Sequence, residues 1–353
     1  MQLPLKSTLT AVAIAVLAAI GVVGGNPAGA STASFAPLDR PGPALSVPTA
    51  TLKAALACHG DLAGSALEPV VLSPATGVTP DQNYSWNYER AFTAQRRPWC
   101  AVTMPFHTLG DIQTAGEYLV YAIRAVHAKA GRRIAVMGHS QGGMSMRWAL
   151  RFWPDTRAMV DDVIGFAGSN HGTTAIPSCR PGWTSCLPAV WQQQATSNFI
   201  TALNSGTETF QGISYTEIFT HTDEVVRPNN TDATSSSALH TGSGAITNVS
   251  TQSICPLDVY EHLSVGTIDP VAYALATDAL NHAGPAQPQR INRSTCLQLV
   301  QPGVNPLNVN MYLQILAGAP GLLSVSLPDV NLVGAPEVPA EPALRCYVLA
   351  AGC

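Results

Sequence analysis

Within Ile134–Leu150, IAVMGHSQGGMSMRWAL, an apolar run gives way to a helical pattern across Gly138-His139-Ser140-Gln141-Gly142-Gly143. A serine framed by Gly138 and Gly142 at such a boundary fits the Gly-x-Ser-x-Gly elbow. There the backbone turns so sharply that the serine side chain stands alone at the strand tip. The flanking glycines sit where a β-carbon would collide with the turn or the next strand. The chain has 29 glycines, so the pattern could arise by chance and its surroundings must decide. An elbow demands a buried strand before it, a helix after it and a largely parallel sheet around it.

The surroundings meet that demand. Val70–Leu72 and WCAVTMP read as short strands, and WNYERAFTAQ between them reads as a helix. In DIQTAGEYLVYAIRAVHAKAG, Ile112, Ala115, Leu119, Ile123 and Val126 recur at spacings of three and four, one stripe of a helix capped by Gly131. Strand 133–137 and a helix to about Phe152 follow, then strands in VDDVIGFAGS and in SYTEIFTHTDEVV, the latter with a strand at Ile218–Thr220 that ends before Asp223, and a helix in DPVAYALATDALNH. Strands alternating with helices predict an α/β protein with a mostly parallel sheet covered on both faces. Its active site belongs at the carboxyl ends of the strands, where Ser140 stands.

The N-terminus carries Lys6, an apolar run Leu9–Val23 and Ala28-Gly29-Ala30, the pattern of a secretory signal peptide cut after Ala30. The expected organisation is a signal peptide over 1–30, a Pro- and Ser-rich lead-in over 31–50, and a single hydrolase domain over 51–353. Export is consistent with eight cysteines, which sequence alone allows to pair in 105 ways. No Cys/His cluster has zinc spacing, so neither metal nor cofactor is expected. Charged residues are only 11% of the chain, net charge is −4 and there is no basic block, which argues against nucleic-acid binding. Asn-x-Ser/Thr sequons occur at Asn83, Asn229, Asn248 and Asn292.

A serine nucleophile needs an imidazole base, and the base needs a carboxylate that fixes its tautomer. In elbow hydrolases they follow in the order Ser, Asp/Glu, His. Of the histidines after Ser140, His171 follows too closely, His221 precedes the best acid, His240 lies in a Ser/Gly-rich loop and His282 ends a helix. His262, after an apolar patch and before a helix, is the best base. Asp223 starts a loop after a strand, where an orienting acid belongs; adjacent Glu224 is its rival. The N–H of Gln141, next after the nucleophile, is one expected oxyanion donor.

MGHSQGGMSMRWALRFWPDTRAMVDDVIGFAGSNHGT, VWQQQATSNFITALNSG, TDEVVRP and CPLDVYEHLSV together resemble the Candida antarctica lipase B-like family. The likeness runs from about Cys58 to Cys296. It implies an α/β-hydrolase fold and a triad of Ser140, Asp223 and His262, favouring Asp223 over Glu224. The family's Pro-Gly-Thr-Gly loop corresponds to SPATG here, which assigns the second oxyanion donor to Thr76, with Ala75 in place of a glycine. Gln193 matches a polar pocket residue of the family. His139 stands where the named lipase has a tryptophan flooring a pocket for secondary alcohols. The smaller ring is expected to open that side and weaken enantiomer discrimination; the alternative is packing under the elbow. The resemblance further implies the disulfides Cys58–Cys100 and Cys255–Cys296, which leaves Cys179–Cys186 and Cys346–Cys353 to close locally.

The expected function is therefore that of a secreted serine carboxylic-ester hydrolase, a triacylglycerol lipase acting as a monomer on ester or lipid substrates at a lipid–water interface. The apolar stretches IPSCRPGWTSCLPAVWQQQ and LQILAGAPGLLSVSLPDVNLV are candidate cleft walls. An acyltransferase on envelope lipids, an esterase for short-chain or polymeric esters, and a non-catalytic binding protein are the alternatives.

Overall fold

Val70–Ser73 (β2), Ile134–His139 (β4), Val160–Phe166 (β5) and Ser214–Phe219 (β6) are buried along nearly their whole length. Strands this apolar are stable only when both faces are covered. In the computed structural model, which describes residues 34–175, 179–305 and 334–353, they form the centre of a seven-stranded sheet. Its order is β1-β3-β2-β4-β5-β6-β7, with Leu56–His59 (β1), Trp99–Val102 (β3) and Ala245–Ser250 (β7) completing it. All neighbours are parallel except β1 and β3. The signal-peptide segment 1–30 and the apolar stretch 313–333 lie outside the described residues.

Side chains alternate between the two faces. Val71, Val136, Val163 and Tyr215 point into a core completed by the helices Ile112–Ala130 and Gln141–Phe152. Leu72, Met137, Ile164, Phe166 and Ile218 point the other way, against the helices Tyr88–Ala94 and Pro270–Asn281. The long helix is held at both ends, since the Asp111 side chain accepts from Gln113 N–H and Gly131 closes it at φ 66°. Residues 34–48 contain no helix or regular strand, yet they are anchored. Pro43 accepts from the Trp153 indole, and the Glu117 carboxylate accepts from Ser46 Oγ at 2.7 Å and Val47 N–H at 3.0 Å.

All eight cysteines are paired, as Cys58–Cys100, Cys179–Cys186, Cys255–Cys296 and Cys346–Cys353. Cys58 and Cys100 face each other across β1 and β3 and clip a four-residue, mostly exposed strand to the sheet edge. Cys255–Cys296 spans 41 residues of sequence and braces the chain just before His262. Opening a loop of that length should remove about 4 kcal/mol of stability in the chain-entropy account. A Cys255→Ser/Cys296→Ser double variant should show this loss in urea unfolding; an unchanged midpoint would contradict it.

Candidate active site

The elbow follows from close approach. A β-carbon on Gly138 would lie 2.4 Å from the Gly142 carbonyl carbon, and one on Gly142 would lie 2.2 Å from the Ser73 oxygen. Ser140 itself takes φ 55° and ψ −122°, a conformation rare for a residue with a side chain, and its N–H is held by the Phe166 carbonyl at 2.8 Å. The turn starts the helix Gln141–Phe152 immediately, so Ser140 sits at the carboxyl end of β4 and at a helix N-terminus.

Asp223 follows β6 and His262 opens a short helix, His262–Val265, beyond β7. His262 Nε2 lies 2.9 Å from Ser140 Oγ, and His262 Nδ1 lies 3.0 Å from Asp223 Oδ2. A carboxylate only accepts, so Nδ1 carries the proton and Nε2 faces the serine hydroxyl as an acceptor. The other Asp223 oxygen, Oδ1, accepts from the Val225 and Val226 N–H groups at 2.9 and 2.8 Å. Asn229 Nδ2 adds a donor to Oδ2 at 3.0 Å. Glu224, the rival acid, meets the His262 backbone N–H, at 3.4 Å, and makes no hydrogen bond to the imidazole ring among the described residues. Both side chains of the His262–Asp223 pair are fully buried. Burial alone would lower the imidazole pKa, but the charge and hydrogen bond of Asp223, with Glu224 and Glu261 behind, override it and hold the pKa above the ordinary 6.5.

The other histidines have partners elsewhere: His171 on Glu208, His221 on Asp232 and His282 on Asp278. His240 is exposed, its ring tilted against that of His171 at 5.8 Å between centroids.

Thr76, Gln141 and Gln193 form a buried ring of polar groups beside Ser140. The Thr76 hydroxyl donates to Gln141 Oε1 at 2.8 Å, and Gln193 Nε2 donates to Thr76 Oγ1 at 3.0 Å and to Gln141 Oε1 at 3.2 Å. Gln141 N–H is the first of its helix, where backbone donors lack intrahelical acceptors. Neither it nor Thr76 N–H has an acceptor among the described residues. The loop carrying Thr76 is braced from below. Asn83 Oδ1 accepts from Ala75 N–H at 2.9 Å, and Thr108 Oγ1 lies 2.7 Å from the Ala75 carbonyl and 2.9 Å from Gly77 N–H.

His139 lies beneath the elbow. Its ring packs where a β-carbon on Gly266 would sit, 5.2 Å between centroids from His262, and is 1% exposed. Nε2 donates to the His262 carbonyl at 2.9 Å, and Asn83 Nδ2 approaches Nδ1 at 3.5 Å. Burial and the neighbouring His262 push its pKa down to about 3, so it stays neutral. Its ring thus meets the His262 backbone from below. Of the two expected cleft walls, only part of the first is described: Ala189 and Trp191 are buried, and the Trp191 indole donates to the Val338 carbonyl at 2.9 Å.

The sequence pattern did not single out Asn83 or Asn229. Both are neutral amides, Asn83 in the short helix Pro80–Tyr84 and Asn229 in a loop, and their only local signal is the sequon, which points to the surface. Their burial at 1% shows the opposite.

Comparison with known proteins agrees with the fold. A family model described as "Lipase (class 2)" matches residues 118–265. Lipase B of Pseudozyma antarctica is 31% identical over 310 residues, covering 86% of this chain and 86% of that one. The crystal structure of Aspergillus fumigatus lipase B superposes with a TM-score of 0.75 at 32% identity, covering 87% of this chain and 74% of that one. The chain therefore belongs to the lipase B family, carboxylic-ester hydrolases built on the α/β-hydrolase fold.

Proposed function

We propose that this chain is a secreted lipase that hydrolyses acylglycerol esters through an acyl-enzyme on Ser140. Ser140 Oγ attacks the ester carbonyl carbon as His262 Nε2 takes the hydroxyl proton. Asp223 holds the imidazole in the competent tautomer and stabilises the imidazolium that forms. The carbonyl oxygen becomes an oxyanion held by the N–H groups of Thr76 and Gln141, with the Thr76 hydroxyl turned from Gln141 Oε1 as a third donor. The tetrahedral intermediate collapses, the alcohol leaves with the proton from His262, and the acyl group remains on Ser140. Water then attacks the acyl carbonyl with His262 again the base, releasing the acid and restoring the serine. The observation that carries this reading is the unbroken line Ser140 Oγ–His262 Nε2, His262 Nδ1–Asp223 Oδ2 at 2.9 and 3.0 Å.

Lipid rather than small soluble esters is supported by the surface around the base. Leu257, Val259, Leu297 and Leu299 are 75–92% exposed and flank the Cys255–Cys296 bridge in sequence, and Leu257 and Val259 lie within five residues of His262. Tyr260, between the first pair and His262, bonds through its hydroxyl to the Leu299 carbonyl, tying the two apolar segments together. A signal peptide cut after Ala30 and export of the single domain fit the fully paired cysteines. No helix among the described residues is long and apolar enough to cross a membrane. Rates on p-nitrophenyl esters of rising chain length, below and above their solubility, test the assignment. A lipase should accelerate on long chains in dispersed form; activity confined to short dissolved esters would make the enzyme an esterase.

The raised His262 pKa sets the pH dependence. The protonated imidazole cannot accept the serine proton, so activity is lost as pH falls through that pKa. Because the pKa is raised, the loss begins above pH 6.5, the value of a free histidine. A kcat/KM profile flat into strongly acidic pH would remove His262 as the base.

A further inference from the structure

Asp223 Oδ2 is the oxygen that faces the imidazole, and among the described residues it has one other donor, the side chain of Asn229. We infer that Asn229 is a positioning residue for the triad carboxylate and that its sequon is therefore a functional amide and not a carbohydrate site. The inference rests on the triad reading above.

The orientation of the amide follows from its neighbours. Asp223 Oδ2 only accepts and Ser237 N–H only donates, so Nδ2 must face the first and Oδ1 the second, at 3.0 and 3.3 Å. Ser235 Oγ donates to Oδ1 at 2.7 Å, and Nδ2 also reaches Ser237 Oγ at 3.0 Å. The serine segment is itself fixed, because the Ser237 carbonyl accepts from Asn170 Nδ2 at 2.7 Å and Ser236 N–H donates to the Pro228 carbonyl at 2.6 Å. Asn229 thus transmits a rigid loop to one oxygen of Asp223. The two backbone N–H groups hold Oδ1, and Asn229 fixes where Oδ2 stands relative to His262 Nδ1. The pair is buried, so no bulk water can take over that role once the amide is removed.

Asn229 opens the sequon Asn229-Asn230-Thr231. A glycan would be attached at Nδ2, the atom engaged by Asp223 and Ser237, in a side chain that is 1% exposed. An active molecule must then carry a bare Asn229 even if the chain passes through a glycosylating export route.

The test uses the full chain and a soluble p-nitrophenyl ester. Asn229→Ala should lower kcat by about 10–100-fold, the range for a buried hydrogen bond to a charged group, with KM unchanged because Asn229 touches no substrate. Asn229→Asp keeps the acceptor for Ser235 and Ser237 and nearly the same volume, but it donates to Asp223 only while protonated. Two carboxyls in hydrogen-bond contact resist double ionisation, so the introduced group holds its proton above the usual carboxylate range. Its activity should stand close to wild type at the acid end and show an extra loss on rising pH that wild type lacks. A purely structural asparagine gives no such pH-dependent limb. If Asn229→Ala fails to fold, the Asn229→Asp profile decides alone. A wild-type profile for Asn229→Asp overturns the inference, and so does a glycan on Asn229 in molecules of full specific activity. Ser140→Ala, assayed alongside, separates the two claims. If it stays active, the triad reading falls; if it is dead while the Asn229→Asp profile matches wild type, only the role of Asn229 falls.

Discussion

Replacing Ser140 with alanine should abolish ester hydrolysis, a loss on the order of 10⁶ in kcat, while leaving the protein folded. The two halves of this expectation have different causes. The hydroxyl supplies the attacking atom, and among the described residues it is the side-chain group bonded to His262 Nε2. The strained turn depends on Gly138 and Gly142, whose missing β-carbons let Gly142 and Ser73 approach, and the Ser140 side chain makes no capping bond to its helix. Circular dichroism and the unfolding midpoint of Ser140→Ala should match wild type. Residual turnover within a hundredfold of wild type, checked against contaminating wild-type enzyme, would mean that another residue attacks.

Asp223→Asn should cost about 10⁴ in kcat, because an amide in this place selects the wrong tautomer of the base. The Val225 and Val226 N–H groups would hold the amide oxygen where Oδ1 now lies, turning its NH₂ toward His262 Nδ1 and Asn229. His262 would then carry its proton on Nε2, facing Ser140, where it cannot accept another. Glu224→Gln should change kcat little, since that carboxylate reaches the His262 backbone N–H at 3.4 Å while Asp223 holds the ring. A near-normal Asp223→Asn beside a dead Glu224→Gln would reverse the assignment of the acid.

The parts of this arrangement that sequence could reveal are those written in local chemistry. The apolar stripe of Ile112, Ala115, Leu119, Ile123 and Val126 lies buried on the helix Ile112–Ala130, bounded by Asp111 and Gly131. The glycines around Ser140 announce the turn because only close backbone approach demands them. Strands stabilised from a distance were harder to see. β1 is only four residues long, largely exposed, and held by β3 and a disulfide. β7 reads Ala-Ile-Thr-Asn-Val-Ser and occupies the open edge of the sheet, so it lacks a run of apolar residues. β6, Ser214–Phe219, lies in the stretch SYTEIFTHTDEVV that reads as a strand, but the full burial of Thr216 and Glu217 within it is not written in their polar letters. A β-carbon on Gly165 of the next strand would meet the Glu217 carboxyl at 2.1 Å. Burial pushes that carboxyl's pKa up to about 8, so it is mostly protonated at neutral pH, a state that the letter Glu does not display. The supports of the site, Asn83 and Asn229, are legible only once the chain is folded, since each joins segments that no sequence period connects.

The most direct test of the account is stoichiometric labelling of the active enzyme with an organophosphonate, followed by peptide mapping. A phosphonyl group should appear once per molecule, on Ser140, and activity should fall in proportion to its incorporation. Asp223→Asn should label far more slowly, because the same base must activate the same hydroxyl. A label on any other residue, or full activity in molecules phosphonylated at Ser140, would contradict the nucleophile assignment.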